Sequence, residues 1–372
     1  MRSAHPIRLS LTLLATLTVT GCLHDSSSSS DDTSTGRLNF NGFGGVTYQT
    51  ASQTGTTNAQ GEFRYYPGET LSLRVGDLPI VDGVPARRYV TPLEFFPGLR
   101  AELSNPAFDD EGLSTHTITE QQLIDDIPLN NLTRFLIALN WTENVREGEG
   151  IDIRDRVIEQ LNAALPNLTG PIDFNVTEAE FTARGSTPSP ANQLLAAICF
   201  YPEGDELCED PPTPSEIAAA PTRPDLEEER DPDVEYREDL QAKRDRILGS
   251  VRSLEDIDAN DAQTYLTREL TSITTAVSNR FYLDEDVASH PASDTEIKTV
   301  GIRKIGGNPE LADIEAISTR PADVMVNATS WQEAEVEYFV AGATGGEAEL
   351  VVSFRPDDTY RWVRKQLRVI IR

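Results

Sequence analysis

The sequence predicts an α+β protein, with a small antiparallel β-module at the N-terminus, a helical middle region and a β-sandwich-like C-terminal region. Apolar and polar residues alternate between residues 38 and 80 and again from residue 324 onward, which is the period of a strand. Between residues 129 and 277 the apolar positions recur at helical spacing. We therefore expect a β-module over residues 37–115, a helical region over 116–295 and a C-terminal β region over 296–372.

The N-terminus has the organisation of an export signal. Arg2 and Arg8 give it positive charge, and residues 9–19 are apolar but fall short of the roughly 20 residues that a permanent membrane span needs. The letters VTGC at residues 19–22 resemble the lipobox of bacterial lipoproteins. That resemblance implies that residues 1–21 are a signal peptide, removed directly before Cys22, which is then lipidated. The alternative is an ordinary signal peptide followed by a chance cysteine.

Residues 22–36 follow as a polar, serine-rich tether of the kind that stays flexible. Several acyl chains on Cys22 would anchor the protein stably, where a single chain would be marginal. Leu23 occupies the position where an aspartate would resemble the usual inner-membrane retention signal. We therefore expect a protein of the cell envelope that is held by its lipid on the outer membrane rather than on the inner membrane.

The chain is strongly acidic, with 32 Lys and Arg against 61 Asp and Glu and a net charge of −29. This balance argues against a nucleic-acid partner, because phosphate binding depends on clustered basic residues. It argues equally against a body that lies flat on anionic lipid, and its simplest interpretation is solubility. Beyond the leader, no hydrophobic segment reaches membrane-spanning length, which excludes a helical permease.

The cysteines fit an exported protein. With Cys22 assigned to the lipid, Cys199 and Cys208 remain as an even pair in an oxidising compartment. We predict that they form a disulfide around residues 200–207, which the chain-entropy model values at roughly 2–3 kcal/mol. The absence of a C-x-x-C spacing favours a structural role over redox chemistry.

The β-module shows regular alternation and clear turns. Leu71, Leu73 and Val75 alternate with polar neighbours, and turns are expected at residues 58–61 and 66–69. These features predict a short antiparallel meander with one buried face. Across about 40 residues from position 46, the string also resembles the carboxypeptidase-regulatory-like β-sandwich module of many bacterial surface lipoproteins. That resemblance implies a structural or binding module without catalysis.

The middle region predicts amphipathic helices and a proline-rich, acidic strap over residues 209–232. Ser189 followed by Pro190 is typical of a helix N-cap and its first position. A long charged helix is expected from residue 236 to 254 and another around residues 266–277, packed as an antiparallel pair. An oligomeric coiled coil is the alternative.

The search for catalytic groups finds no G-x-S-x-G, H-E-x-x-H or P-loop motif around His24, His116 or His290. Residues 256–260 begin like a calcium loop, but Asp261 replaces the glycine that such a loop requires, so helix capping explains them better. Adjacent acids, expected by chance in so acidic a chain, occur at residues 125–126 and 227–229. We therefore predict a protein that is not an enzyme, with no cofactor and no metal site. No ligand-binding residue is identifiable.

The C-terminal half carries a second resemblance. The strings TVGIRKIGGNPELAD at residues 299–313 and WQEAEVEYF at residues 331–339 resemble a family of γ-proteobacterial membrane lipoproteins loosely associated with organic-solvent and alkane handling. Some members accompany outer-membrane channels similar to the long-chain fatty-acid transporter. The resemblance implies a non-enzymatic lipoprotein that assists the uptake or handling of hydrophobic compounds, with such a channel and a hydrophobic small molecule as partners.

Two other functions remain open at this stage. A surface adhesion or biofilm lipoprotein is consistent with the tether and the two β regions. A hydrolase assembled from scattered residues is less favoured. An apolar pocket among the helices would support ligand binding, whereas a polar cleft with converging acids would support an enzyme.

Overall fold

A computed structural model describes residues 33–142 and 145–372 of the chain. The predicted signal peptide, Cys22, His24 and most of the tether lie outside the described residues. The tether was expected to reach residue 36, but the first strand already begins at Ser34. From Thr33 to Arg372 the chain forms one compact unit of α+β class, as predicted.

The N-terminal region consists of short strands, seven of which form two small sheets, while β2 pairs in parallel with a later strand at residues 151–152. The strands are β1 Ser34–Leu38, β2 Phe43–Gly44, β3 Thr47–Gln49, β4 Thr54–Thr56, β5 Glu62–Tyr65, β6 Thr70–Val75, β7 Leu78–Pro85 and β8 Tyr89–Val90. One sheet has the order β4-β3-β6-β7 and is antiparallel, and the other has the order β5-β1-β8. The predicted alternation is confirmed, because Leu71, Leu73 and Val75 are all buried.

The connectivity of this region differs from the predicted meander. Strand β5 pairs with β1 instead of β6, and β1 and β8 run parallel. The turns at residues 58–61 and 66–69 are present, and Gly68 has a φ of +91°, the left-handed conformation that a type II turn requires. Local turn chemistry was thus readable from the sequence, whereas strand pairing depends on the packing of Phe63 and Tyr65 against the rest of the core.

Nine helices lie in the described residues. They are α1 Pro97–Leu103, α2 Thr117–Leu123, α3 Ile127–Ala138, α4 Asp155–Ala164, α5 Glu178–Phe181, α6 Pro190–Ala196, α7 Pro214–Ala219, α8 Arg237–Gly249 and α9 Ala259–Ser278, with the short strands β9 Ala107–Phe108, β10 Ser114–Thr115 and β11 Ile151–Asp152 among them. Helix α1 falls inside the region assigned above to the β-module. The predicted cap of α6 is confirmed, since the Ser189 side chain accepts a hydrogen bond from the N–H of Asn192.

The expected antiparallel pair of long helices is replaced by two separate packings. Helix α9 packs on α3, and α8 packs on α7 and on the turn at residues 206–208. Helix α8 also ends at Gly249 rather than near residue 254, because its apolar positions do not continue as one buried face: Leu254 is buried but Val251 is exposed. Helix α9 has a continuous buried face and joins the N-terminal core at Tyr265 to the C-terminal core at Ile273.

The C-terminal region is a β-sandwich. Its strands are β12 Phe281–Leu283, β13 Val287–His290, β14 Lys298–Lys304, β15 Leu311–Ser318, β16 Val324–Ser330, β17 Glu335–Val340, β18 Glu347–Pro356 and β19 Val363–Ile371. They form two four-stranded sheets with the orders β12-β14-β17-β16 and β13-β19-β18-β15, whose inner faces share one hydrophobic core. Strands β12 and β13 precede residue 296, where the β region was expected to begin. The hydrophobic pattern of these two strands is too short to separate them from a helical segment by sequence alone.

Candidate functional site

A groove of about 990 Å³ lies among the helices, and we call it the helical groove. One side is formed by α6 and by residues 197–201, and the other by the end of α8 and by residues 250–253. This volume lies at the upper end of the range of about 300–1,000 Å³ that is typical of small-molecule sites.

The disulfide forms part of the groove wall. Cys199 and Cys208 are bonded, as predicted, with their Cα atoms 5.5 Å apart. Both cysteines line the groove, and the backbone N–H of Cys199 donates a hydrogen bond of 2.7 Å to the side-chain oxygen of Gln160 on α4. The bond therefore fixes an irregular loop against a regular helix, and the groove keeps a defined wall at this side.

The opposite rim is held by Arg252. Its guanidinium lies 3.7 Å from the ring centroid of Phe200, a cation–π contact across the groove lining. The same guanidinium donates hydrogen bonds to the carbonyl oxygens of Ala138 and Trp141, at 3.1 and 2.7 Å. Arg252 thus ties the segment after α8 to the end of α3, and it positions this rim without entering the core.

The exposed lining combines apolar side chains with three charged ones, Arg184, Glu209 and Asp210. Leu248 and Val251 are 46% and 40% exposed, and Ala196 and Ala197 on the facing wall are also exposed. Val251 falls within the helix expected over residues 236–254, but α8 ends at Gly249 and Val251 lines the groove. Apolar side chains that remain accessible in a concave site are typical of ligand-binding surfaces.

Two charged pairs connect α8 to the disulfide loop and the residue after it. Lys243 pairs with Glu209, and Arg246 pairs with Glu206. The carboxylate of Glu209 raises the pKa of Lys243. Both pairs are at least partly exposed, so each contributes little to stability, whereas Ile247 on the same helix is buried.

A group of polar side chains, which we call the buried cluster, lies where the N-terminal region, α2 and the sandwich meet. Arg361 is 1% exposed, and its Nη2 lies 3.3 Å from Oε1 of Glu120. The same oxygen accepts a 2.6 Å hydrogen bond from the Tyr360 hydroxyl. Burial raises the pKa of Glu120 and of the nearby buried Glu94, while the charge of Arg361 opposes the shift in both.

His116 belongs to this buried cluster. Its Nδ1 accepts a 3.0 Å hydrogen bond from the backbone N–H of Trp362, and its Nε2 lies 2.9 Å from the hydroxyl of Thr274. Burial lowers the pKa of His116 to about 3, so the ring is neutral near pH 7 and its proton resides on Nε2. The imidazole therefore serves as a fixed bridge between α9 and the loop before β19.

The buried cluster does not present converging acids to an open cleft. Glu94 and Tyr360 line a cavity of about 310 Å³, whereas Glu120 does not reach its lining. Oε2 of Glu94 already accepts hydrogen bonds from the backbone and hydroxyl of Thr91. The buried cluster joins the N-terminal region, α2 and the C-terminal sandwich. Sequence patterns gave no signal for it, because its members lie far apart along the chain.

The other residues considered in the sequence have local roles. Asp258 caps α9 in a capping box with Asp261, so helix capping accounts for the segment that resembles a calcium loop. Asp126 likewise caps α3, and residues 227–229 form an exposed short turn. The Nε2 of His290 lies 3.0 Å from the Tyr338 hydroxyl.

No group of three or more His, Cys, Asp or Glu side chains in the described part of the chain is placed to hold a metal ion. No helix there is long and apolar enough to cross a membrane.

Comparisons with known proteins add little. No family model matches the chain, and no curated protein does. Two solved structures share local similarity. The crystal structure of domains 4 and 5 of the S-layer protein SbsC is 14% identical, with a TM-score of 0.18, and the match covers 24% of this chain and 50% of that one. The structure of SbsC domains 1–6 is also 14% identical, with a TM-score of 0.19, and the match covers 25% of this chain and 13% of that one. TM-scores this low carry no argument about fold or function.

Proposed function

We propose that this protein is a lipid-anchored envelope protein that binds hydrophobic small molecules in the helical groove and assists their uptake or handling. The observation that carries the proposal is the groove itself, with accessible Leu248 and Val251 facing Ala196 and Ala197. Alkyl chains gain free energy by leaving water for such a surface, at about 25 cal/mol per Å² of apolar area buried.

Two features of the sequence support the same proposal. The lipobox-like residues before Cys22 favour a lipid anchor, and Leu23 after it favours the outer membrane, where hydrophobic compounds enter the cell. The resemblance of residues 299–313 and 331–339 to lipoproteins associated with alkane handling implies the same class of ligand. We further propose an outer-membrane channel as the partner, because a protein held by a lipid does not itself form a transmembrane path.

The proposal is tested by filling the groove. Ala197 is exposed and lines it, so Ala197→Trp would place an indole in the space assigned to the ligand without disturbing a buried position. Ala242→Trp is a matched control, because Ala242 on α8 is exposed as Ala197 is, but it does not line the groove. The probe is a long-chain fatty acid carrying an environment-sensitive fluorophore, and a long alkane is added as competitor.

We expect the parent protein and Ala242→Trp to bind the probe equally and to release it to the alkane. Ala197→Trp should weaken binding on the order of tenfold or more, which corresponds to about 1.4 kcal/mol. Binding that is absent from the parent protein, or equal in all three proteins, would overturn the assignment of the groove.

A further inference from the structure

The surface around strand β1 is basic although the chain as a whole has a net charge of −29. Arg37 lies on β1, and Arg87 and Arg88 directly precede β8, which pairs in parallel with β1. The backbone N–H of Arg37 donates a 2.9 Å hydrogen bond to the carbonyl of Arg88. The three arginines therefore arise from adjacent strands, and we call them the β1 patch.

Two of the three arginines have no side-chain partner within residues 33–142 and 145–372. Among the residues that the structure describes, the side chains of Arg87 and Arg88 make no hydrogen bond and no ion pair. Arg37 pairs with Glu62 at 3.3 Å, and both of these side chains are about one-third exposed. The positive charge of Arg87 acts on Glu94, whose carboxyl is buried and accepts a hydrogen bond from the backbone N–H of Thr91.

The patch borders two concavities of a size that suits a polar head group. Arg37 and Arg88 line one of about 340 Å³, together with Tyr89 and with Glu62, the partner of Arg37. Arg87 and Arg100 line the other, which is the cavity of about 310 Å³ that Glu94 and Tyr360 also line. Guanidinium groups recognise phosphate oxygens through paired N–H donors, so arginine is well suited to this ligand.

The position of the patch along the chain identifies the surface that it meets. The described fold begins at Thr33, one residue before β1, and only residues 23–32 separate it from Cys22. The tether predicted from the sequence would span on the order of 20 Å over this number of residues. If Cys22 carries the lipid, β1 is the part of the folded body that is covalently nearest to the membrane.

We propose that the β1 patch docks on the phosphate head groups of anionic phospholipids in the membrane that holds the anchor. This inference rests on the proposed lipid anchor but not on the helical groove. The acidic remainder of the body is repelled by the same lipid surface, so the contact is confined to the patch and the body is oriented by it. Each arginine near an anionic membrane strengthens the attraction severalfold, and salt weakens it.

The test uses the full chain with Cys22→Ser, so that the lipid does not dominate binding. Co-sedimentation is measured with vesicles of phosphatidylglycerol mixed with phosphatidylcholine and with vesicles of phosphatidylcholine alone. The patch variant changes Arg37, Arg87 and Arg88 to Gln. The matched control changes three exposed arginines elsewhere to Gln, which alters the net charge equally; they are Arg74, Arg230 and Arg320.

We expect the parent and the control variant to bind the phosphatidylglycerol vesicles at low salt and not to bind the vesicles of phosphatidylcholine alone. The patch variant should bind on the order of tenfold or more weakly. The corresponding Arg→Lys variant keeps the charge but not the paired N–H donors, so its binding should lie between those of the patch variant and the parent. Equal binding by the patch and control variants, or no preference for phosphatidylglycerol, would overturn the proposal. Circular dichroism establishes that each variant is folded, and the result is independent of the fatty-acid assay above.

Discussion

Replacing Arg361 with methionine tests the role of the buried cluster most sharply. Arg361 is 1% exposed and lies beside the buried carboxyls of Glu94 and Glu120. Methionine has a similar length but no charge, so the change removes the cation and leaves both acids in place. Breaking a buried ion pair by removing one partner costs about 3–5 kcal/mol, because the remaining charge is uncompensated. We expect a loss of this order in the free energy of unfolding near pH 7.

The loss should depend on pH in a defined direction. Burial already raises the pKa values of Glu94 and Glu120 above the ordinary 4.5, and loss of the Arg361 charge would raise them further. A carboxyl whose pKa is raised in the folded state stabilises the fold below pH 4.5, and that contribution is lost as the pH rises through the raised value. The deficit of Arg361→Met relative to the parent should therefore be small near pH 4.5 and grow toward pH 7.

The assay is urea unfolding at several pH values, followed by tryptophan fluorescence. Arg320→Met is the control, because Arg320 is exposed and should change the unfolding free energy by about 0.5 kcal/mol or less. Adding Glu120→Gln to Arg361→Met should recover part of the loss, since it removes one uncompensated acid and keeps an acceptor for Tyr360. A deficit as small as the control's, or one that does not change with pH, would refute this account of the cluster.

Three further predictions follow from other contacts. Replacing both Cys199 and Cys208 with serine should lower the free energy of unfolding by roughly 2–3 kcal/mol, because the disulfide closes a short loop. It should also weaken fatty-acid binding, because this loop is part of the groove wall. An unchanged affinity would show that the groove wall does not need the disulfide. Glu269→Ala should cost several kcal/mol by urea unfolding, because this buried carboxylate accepts hydrogen bonds from the backbone of Asn41 at 2.8 Å and from its side chain at 2.6 Å, and a loss below about 1 kcal/mol would contradict this. NMR should show that His116 stays neutral down to about pH 4. Because its pKa is lowered in the folded state, the stability that the neutral ring contributes declines as the pH falls below 6.5. Titration of His116 near pH 6.5 would contradict its buried position.

Local signals in the sequence predicted local structure well. Ser189 and Pro190 specified the start of α6, and the alternation through Leu71, Leu73 and Val75 specified β6 and its buried face. The disulfide followed from counting cysteines, because the lipobox-like pattern left one even pair. In each case the determinant lies within a few residues, so one sequence is sufficient.

Features that depend on distant contacts could not be predicted. Strand β5 pairs with β1 rather than with its neighbour β6, and α9 packs on α3 rather than on α8. The apolar residue Val251 lines the groove only because α8 ends at Gly249. These outcomes are decided by which faces the whole fold brings together, and hydrophobic periodicity does not encode that choice.

The charged contacts show the same limit. Arg368 on β19 pairs with Glu347 on the neighbouring strand β18 at 2.6 Å. Arg364, also on β19, pairs instead with Glu111 and Asp109 beside the β9–β10 hairpin. A sequence shows which charges a strand carries but not which neighbouring segment reaches them.

The most direct test of the central claim is growth of a strain that lacks this gene, complemented with the parent protein, with Ala197→Trp or with Ala242→Trp. Growth is measured on a long alkane, on a long-chain fatty acid and on acetate. We predict that the parent and Ala242→Trp restore growth on the two hydrophobic substrates, that Ala197→Trp does not, and that all strains grow equally on acetate. Equal growth of the deletion strain on all three substrates would contradict a role in handling hydrophobic compounds and would favour surface adhesion instead.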